Sequence, residues 1–303
     1  MIDVSSKIET LRAAVAESRV VARKDTIDKA MRGDTPKGEV LSVARAAGVL
    51  AAKKTPELIP YCHPLMLDSV AVHFEHKETE ILIRAEVKTI GKTGVEMEAL
   101  TAAMVAALTI YDMLKGIDQE VILGETRLIE KTGGKSDFRE NFTKPILAAI
   151  LVSSDSVASG KKSDKSGKII QETMTAFPVE VRHYDIVPDE KEVIQQKILG
   201  WINAGIQLIL ITGGTGLGPR DVTVEAVQPI LEREVPGVAE AMRSFGQRRT
   251  PYAMLSRGVV GIKGNTLIMT LPGSSRGVRE SLAALFPNVL HSFKMMRGGG
   301  HGA

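Results

Sequence analysis

Residues 91–115, GKTGVEMEALTAAMVAALTIYDMLK, constrain this chain more than any other stretch. The central run TAAMVAALTIY is apolar on nearly every face and long enough for a core helix. Glu96, Glu98, Asp112 and Lys115 flank it. A carboxylate at an apolar boundary must be paired, hydrogen-bonded or protonated, so several of them together suggest a site. The bland alternative is a helix with acidic residues at its positive end and Lys115 at its negative end.

With 303 residues the chain is longer than one average domain and is read as two. The composition changes over residues 133–146, GGKSDFRENFTKPI, which places a first domain at 1–140 and a second at 145–303. A net charge of +3 is too small to imply a nucleic-acid partner. The single cysteine, Cys62, excludes an intrachain disulfide framework and fits the cytoplasm. No signal peptide is legible, and no apolar run is read as approaching the roughly 18 residues of a membrane span.

In the first half, residues 68–88 alternate as a hairpin, with Val70, Val72 and Phe74 on one face, HKETE as the turn, then Ile81 and Ile83. A hairpin followed by the long helix predicts an α+β unit. In the second half, apolar runs such as ILAAILVSSD and LILITGGTG alternate with helical segments such as KEVIQQKILGWINAG. That rhythm predicts an α/β layer with a mainly parallel sheet. The GGGHGA tail is expected to be disordered.

Several motifs fail on inspection. Gly91-Lys92-Thr93 and Gly134-Lys135-Ser136 resemble the end of a P-loop, but Glu86 and Ile129 stand where its first glycine belongs. Gly273-Ser274-Ser275-Arg276-Gly277 matches a nucleophile elbow, yet no aspartate follows Ser275. The same strand–turn–helix reads better as an anion site, with backbone amides and Arg276 facing a phosphate. His73 and His76 are read as solvated. His63, between Pro60 and Pro64 in IPYCHPLML, is either a satisfied core histidine or a catalytic one.

The motifs IDVSSK, PKGEVLSVARAAGVLAAKKT, LIPYCHPLMLDSV, the long helix and KTGGKSDF together make the N-terminal 138 residues resemble the MoaC family, cyclic pyranopterin monophosphate synthase. KTGGKSDF is one residue shorter than in many relatives. The resemblance implies a ferredoxin-like fold, an antiparallel sheet with helices. It also implies a cyclised dihydro-GTP substrate, rearranged to a pterin carrying a cyclic phosphate with release of pyrophosphate. The family's functional residues fall on Lys37, His63, Glu96, Glu98, Asp112, Lys115 and Lys131, with Tyr61, Cys62 and Met97 beside the substrate. Such residues suit the chemistry: lysines for the phosphates, and His63, Asp112 and the two glutamates for proton transfers. Glu98 and Asp112 stand 14 residues apart, about 21 Å along one helix at 1.5 Å per residue. That length predicts a site shared between subunits, with Asp112 and Lys115 meeting His63 and Glu98 across an interface.

VSSDSVASGKKSDKSG, VPDE, LILITGGTGLGPRDVT and LIMTLPGSSRG make residues 145–303 resemble the MogA/MoaB family, whose active members are molybdopterin adenylyltransferases. Gly213, Gly214, Gly216 and Gly218 would let backbone amides approach a phosphate, with hydroxyls from Thr212 and Thr215 and the dipole of the following helix. Ser274 and Ser275 complete the expected binding set. Asp189 and Asp221 fall on the family's catalytic acidic positions and would carry Mg2+ for ATP as co-substrate, while Asp155 and Asp164 lie in its opening loop. The expected whole is a fused two-domain enzyme with pterin and nucleotide substrates, assembled as a homo-oligomer, trimer or hexamer. A second domain that only holds molybdopterin is the alternative.

Overall fold

The computed structural model describes residues 1–134, 137, 138 and 140–299. Lys135 and Ser136 of the second rejected P-loop, the KTGGKSDF departure in part, and the tail from residue 300 lie outside the described residues. The chain divides into two compact units, Met1–Asp137 and Phe138–Ala303.

The first unit is a four-stranded antiparallel sheet covered by helices. Its strands are β1 (Thr10–Val21), β2 (Ser69–His76), β3 (Glu80–Gly91) and β4 (Ile122–Thr132), in the order β2-β3-β1-β4. The hairpin is where the alternation predicts it, and Val72, Ile81 and Ile83 are buried. The other two strands, the inner β1 and the edge strand β4, are not legible in the same way. β1 is TLRAAVAESRVV, rich in alanine, a residue depleted in strands. Pairing with a neighbour on each side makes it a strand, along its whole length with β3, while the buried Ser18 hydroxyl meets Thr126 of β4 at 2.8 Å.

Helices α1 (Lys24–Arg32), α2 (Val40–Lys53), α3 (Thr55–Leu58) and α4 (Glu96–Leu114) complete this unit. α4 is the helix predicted from residues 98–112. Ala99, Ala102, Ala103, Ala106 and Ile110 are wholly buried, and α2 packs closely on it because Gly48 has no side chain to interpose. At 19 residues and mean hydropathy 1.4, α4 has the length and composition of a membrane span, contrary to the expectation that no run approaches one. Its small buried residues lie in the same core as the inner faces of β1 and β3, so these properties belong to a central packing helix here.

The second unit holds a six-stranded sheet in the order β6-β5-β7-β10-β9-β8. Its strands are β5 (Ile146–Ser153), β6 (Val179–Val187), β7 (Leu208–Thr212), β8 (Arg233–Glu234), β9 (Val260–Lys263) and β10 (Thr266–Leu271). β6, β5, β7 and β10 run parallel; β9 pairs antiparallel with β10, and β8 antiparallel with β9. The helices are α5 (Asp155–Ala158), α6 (Ser166–Met174), α7 (Lys191–Asn203), α8 (Thr223–Val227), α9 (Pro236–Gln247), α10 (Ser275–Leu285) and α11 (Ser292–Met296). Residues of α7 and α8 share a core with Ala149 and Leu151 of β5 and Ile209 and Ile211 of β7. The alternate residues face the other way, where α6 meets Val152 and packs with α10, which in turn packs with α9. Ser153, Thr212 and Leu271 thus end three adjacent parallel strands, the place where open α/β sheets bind ligands.

Candidate active sites

In the first unit the seven residues implied by resemblance gather at opposite ends of α4. At its C-terminal end, Asp112 Oδ2 lies 2.6 Å from Lys37 Nζ and Asp112 Oδ1 2.7 Å from Lys115 Nζ. Lys37 also donates to the Asp112 carbonyl at 2.9 Å. Lys37 is delivered by a turn in which Pro36 stands second and Gly38, at φ +83°, closes back on Thr35 through a 2.9 Å bond. The two ammonium groups, Lys115 first, hold the Asp112 carboxyl down at about 2. A carboxylate so stabilised is a weak proton acceptor at neutral pH and a good anchor for two lysines.

At the N-terminal end, Glu96 and Glu98 occupy the first turn of α4, where the helix dipole favours negative charge. Lys131, projecting from β4, reaches Glu96 Oε1 at 3.3 Å, and the Glu96 carboxylate fills the space a side chain on Gly94 would need. Glu98 is 1% exposed. The Cys62 thiol donates to its Oε1 at 3.5 Å, and Oε2 is buried with no hydrogen-bond partner among the described residues. Burial pushes the Glu98 carboxyl above its usual range. Burial and the Glu98 charge push the Cys62 thiol up to about 11, so the sulfur is a protonated donor. His63 is half-exposed and not a core residue; its Nε2 lies 2.9 Å from the Ile2 carbonyl. Tyr61 and Met97 present exposed side chains, as do His73 and His76 on β2.

In the second unit one cavity of about 700 Å³ opens at the ends of β5, β7 and β10. Asp189, Thr212, Gly213, Gly214, Asp221, Ser274 and Ser275 all border it, together with Asp164. Gly213 and Gly214 have φ of +99° and +62°. A side chain on Gly213 would strike the Ser153 carbonyl at 2.1 Å, and one on Gly214 the Thr223 hydroxyl at 2.3 Å. These two positions therefore require glycine. Asp189 accepts from the Ser153 hydroxyl at 2.7 Å and the Asp155 amide at 3.0 Å, and the Asp189 amide donates to the Asp155 carboxylate at 3.0 Å. Asp221 accepts from the Gly218 amide at 2.7 Å, folding the RDVT end of the loop back on its glycines.

Some expectations need correction. The Thr212 hydroxyl is spent on the Pro272 carbonyl at 2.7 Å, because Thr212 is the buried last residue of β7. Thr215 is 4% exposed, and neither it nor Gly216 borders the cavity. No helix starts directly after the glycines: α8 begins only at Thr223 and is five residues long. Arg276 does not supply charge to a phosphate here, since its Nε is held 2.8 Å from Glu280 one helical turn on. Ser274 caps α10 by accepting from the Gly277 amide at 3.1 Å, and Glu280 is committed to Arg276, so no hydrolase triad assembles. Among the described residues no cluster of three or more His, Cys, Asp or Glu side chains is placed to hold a metal.

Sequence reading missed the groups that brace this loop. Arg257 donates to the Gly216 carbonyl and the Asp221 carbonyl, each at 2.7 Å, and pairs with Glu225. Arg220 grips Asp155 with two bonds of 3.0 Å and, as the first cause, draws its carboxyl below the usual range. Tyr184 of β6 donates to Asp164; burial first, and then this bond, push its phenol above the usual range. Nothing in the sequence marks Arg257, which stands 41 residues from Gly216.

The comparisons divide the chain at the same place. The MoaC family model matches residues 1–134, and the model described as "Probable molybdopterin binding domain" matches residues 149–291. A molybdenum cofactor biosynthesis bifunctional protein of Chlorobaculum tepidum is 44% identical over 301 residues, covering 99% of this chain and 96% of the relative. A cyclic pyranopterin monophosphate synthase of Corynebacterium efficiens is 54% identical over 136 residues, 45% of this chain and 88% of the relative. The crystal structure of the molybdopterin biosynthesis enzyme MoaB from Thermus thermophilus is 45% identical and covers 52% of this chain and 99% of that one, with a TM-score of 0.49. With both domain families in this order and the first of these relatives matched almost end to end, the chain belongs to the bifunctional enzymes of molybdenum cofactor biosynthesis, a MoaC domain followed by a MogA/MoaB-type domain.

Proposed function

We propose that the first unit converts a cyclised dihydro-GTP to cyclic pyranopterin monophosphate with release of pyrophosphate, and that the second adenylylates molybdopterin with Mg-ATP. For the first reaction the carrying observation is the contrast between the two ends of α4. Lys37 and Lys115, pinned by Asp112, form a cationic cradle suited to phosphates. Glu98, buried beside a protonated thiol, suits proton transfer instead. About 21 Å of helix separates these functions, which supports a site completed by a second subunit in a trimer or hexamer. The strand order β2-β3-β1-β4, with helices in both crossovers, supports the ferredoxin-like reading. The lone cysteine supports a cytoplasmic setting.

For the second reaction the support is that Asp189 and Asp221 border the same cavity as the glycine cradle. Asp221 uses only Oδ2 on the loop, so its carboxylate and that of Asp189 fit a hard cation whose remaining ligands are phosphate oxygens and water. Magnesium held there would offset the repulsion between the reacting phosphates. The cradle amides would orient the pterin's phosphate, and Arg257 would hold the loop in register. One observation favours the alternative of a molybdopterin-binding module: both Asp189 oxygens already accept hydrogen bonds, as a structural carboxylate's would.

Incubating the full chain and Asp221→Asn with molybdopterin, ATP and magnesium separates the two. Wild type should form adenylated molybdopterin, and the variant should bind the pterin yet lose at least about 10²-fold in transfer. Pterin binding by wild type with no adenylated product would leave the binding module. In the first unit, His63→Ala, Asp112→Asn and Lys131→Ala should each lower cyclic pyranopterin formation by about 10² or more. Wild-type turnover in all three would remove the assignment.

A further inference from the structure

The segment that precedes β1 forms neither helix nor strand, yet it is tied to the glutamate-bearing end of α4 at two points. The first is His63, neighbour of the Cys62 that donates to Glu98: its Nε2 lies 2.9 Å from the Ile2 carbonyl oxygen. The second is Asp3. Its Oδ1 accepts from the Ser5 amide at 2.8 Å, which folds the segment into a tight turn. The Ser5 amide and hydroxyl draw the Asp3 carboxyl below its usual range, and the charge of Lys92 adds to them. Lys92 stands in the loop that leads from β3 into α4. Arg12 of β1, itself 7% exposed, fixes that loop by donating to the Gly91 carbonyl at 3.3 Å and the Lys92 carbonyl at 3.5 Å. The turn at Asp3 thus has a held footing on one side and His63 on the other.

The contact with Ile2 decides where the imidazole carries its proton. A carbonyl oxygen only accepts, so Nε2 is the donor; a proton on Nδ1 instead would set two lone pairs against each other. In the neutral ring the remaining lone pair is then on Nδ1, which has no hydrogen-bond partner among the described residues. We propose that residues 2–5 belong to the cyclase site, where the Ile2 carbonyl holds His63 as the Nε2–H tautomer and makes Nδ1 the atom that takes a proton from the substrate. The inference rests on the cyclase reading of the first unit. Ile2 is a positioning residue and acts through its backbone, since its side chain is 79% exposed. Asp3 shapes the turn that brings that carbonyl to the ring.

The test is long-range proton–nitrogen NMR of the full chain labelled in histidine, with the His63 signals assigned by difference from His63→Ala, alongside cyclase kinetics. Wild type is compared with a chain lacking residues 2–5 and with Asp3→Ala, which loosens the turn without shortening the chain. Wild type should show His63 protonated at Nε2. In the shortened chain the two tautomers should mix, and kcat should fall about 10- to 100-fold, a part of what an acid/base group contributes. KM should stay within about threefold, because the segment orients the base and does not hold substrate. Asp3→Ala should show the same changes to a smaller degree, and it decides the matter if the shortened chain does not fold. His63 protonated at Nδ1 in wild type, or kcat unchanged in both variants, overturns the inference. A rise in kcat makes the segment an inhibitory strap and overturns it too. A wild type that turns over no cyclised dihydro-GTP removes the cyclase reading, and this inference with it.

Discussion

Glu98 shows most directly how a residue's surroundings decide its chemistry. Its neighbour Glu96 shares the first turn of α4 and is paired with Lys131, whereas Glu98 is turned inward, 1% exposed, with one oxygen on a thiol and the other unpartnered among the described residues. Its carboxyl is raised above 4.5, so the folded state holds this proton to a higher pH than the unfolded chain does. The stability it contributes is therefore full below about pH 4.5 and lost as pH rises through the raised value. Glu98→Gln should abolish that loss: denaturant midpoints of the variant and wild type should diverge as pH rises above about 4.5, with the variant gaining. Parallel profiles would show that the carboxylate is already ionised in the fold. Asp112 has the opposite sign. Held at about 2 by Lys115 and Lys37, it is ionised at neutral pH, and in a variant of either lysine that leaves turnover measurable the acidic limb of the cyclase pH profile should move upward as Asp112 loses a partner; an unmoved limb would mean that Asp112 does not set it.

At the scale of elements, the central event of the first unit is the close approach of α2 to α4. Both helices offer small residues at the contact, and a side chain on Gly48 would lie 3.0 Å from the Ala102 carbonyl and 3.3 Å from the Ala106 methyl. Gly48→Leu should destabilise this unit by about 1–3 kcal/mol or more, as overpacking does. Thermal or denaturant unfolding should show the first unit's transition shifted and the second's unmoved; an unchanged transition would mean that the helices can separate freely. The same contact explains why α4 reads as a membrane span in composition: alanines that permit close packing are also apolar. In the second unit, elements were legible because parallel strands buried on both faces are continuous apolar runs. β1 and β4 lacked such a signal. Alanine fills the one, and the other is a largely exposed edge strand.

At the scale of the whole molecule, the two ends of α4 cannot meet within one copy of the helix, since about 21 Å lies between Glu98 and Asp112. Mixing inactive His63→Ala with inactive Asp112→Asn chains should recover cyclase activity in hybrid oligomers that pair one intact end with the other. The yield should follow the fraction of mixed assemblies. Subunit exchange without recovery would mean that each chain builds its own site. The second unit should be indifferent to either substitution, and the thermal unfolding transition of the first unit serves as the control for its folding.

The sequence by itself determined the helices with strong apolar periodicity, the buried parallel strands, the glycine cradle and, through resemblance, both domain families, because these rest on local spacing and on residue types with few substitutes. Asp112 and Lys115, three residues apart on one helical face, pair as that spacing allows, whereas nothing in the spacing places Lys37 on Asp112. Only the tertiary structure decided that the Thr212 hydroxyl is spent on Pro272, that Arg276 turns to Glu280, and that Arg257 braces Gly216 and Asp221. The physical reason is common to all three. A side-chain hydrogen bond depends on where distant backbone carbonyls and carboxylates arrive after strands have paired and helices have packed, and no spacing along the chain encodes that arrival.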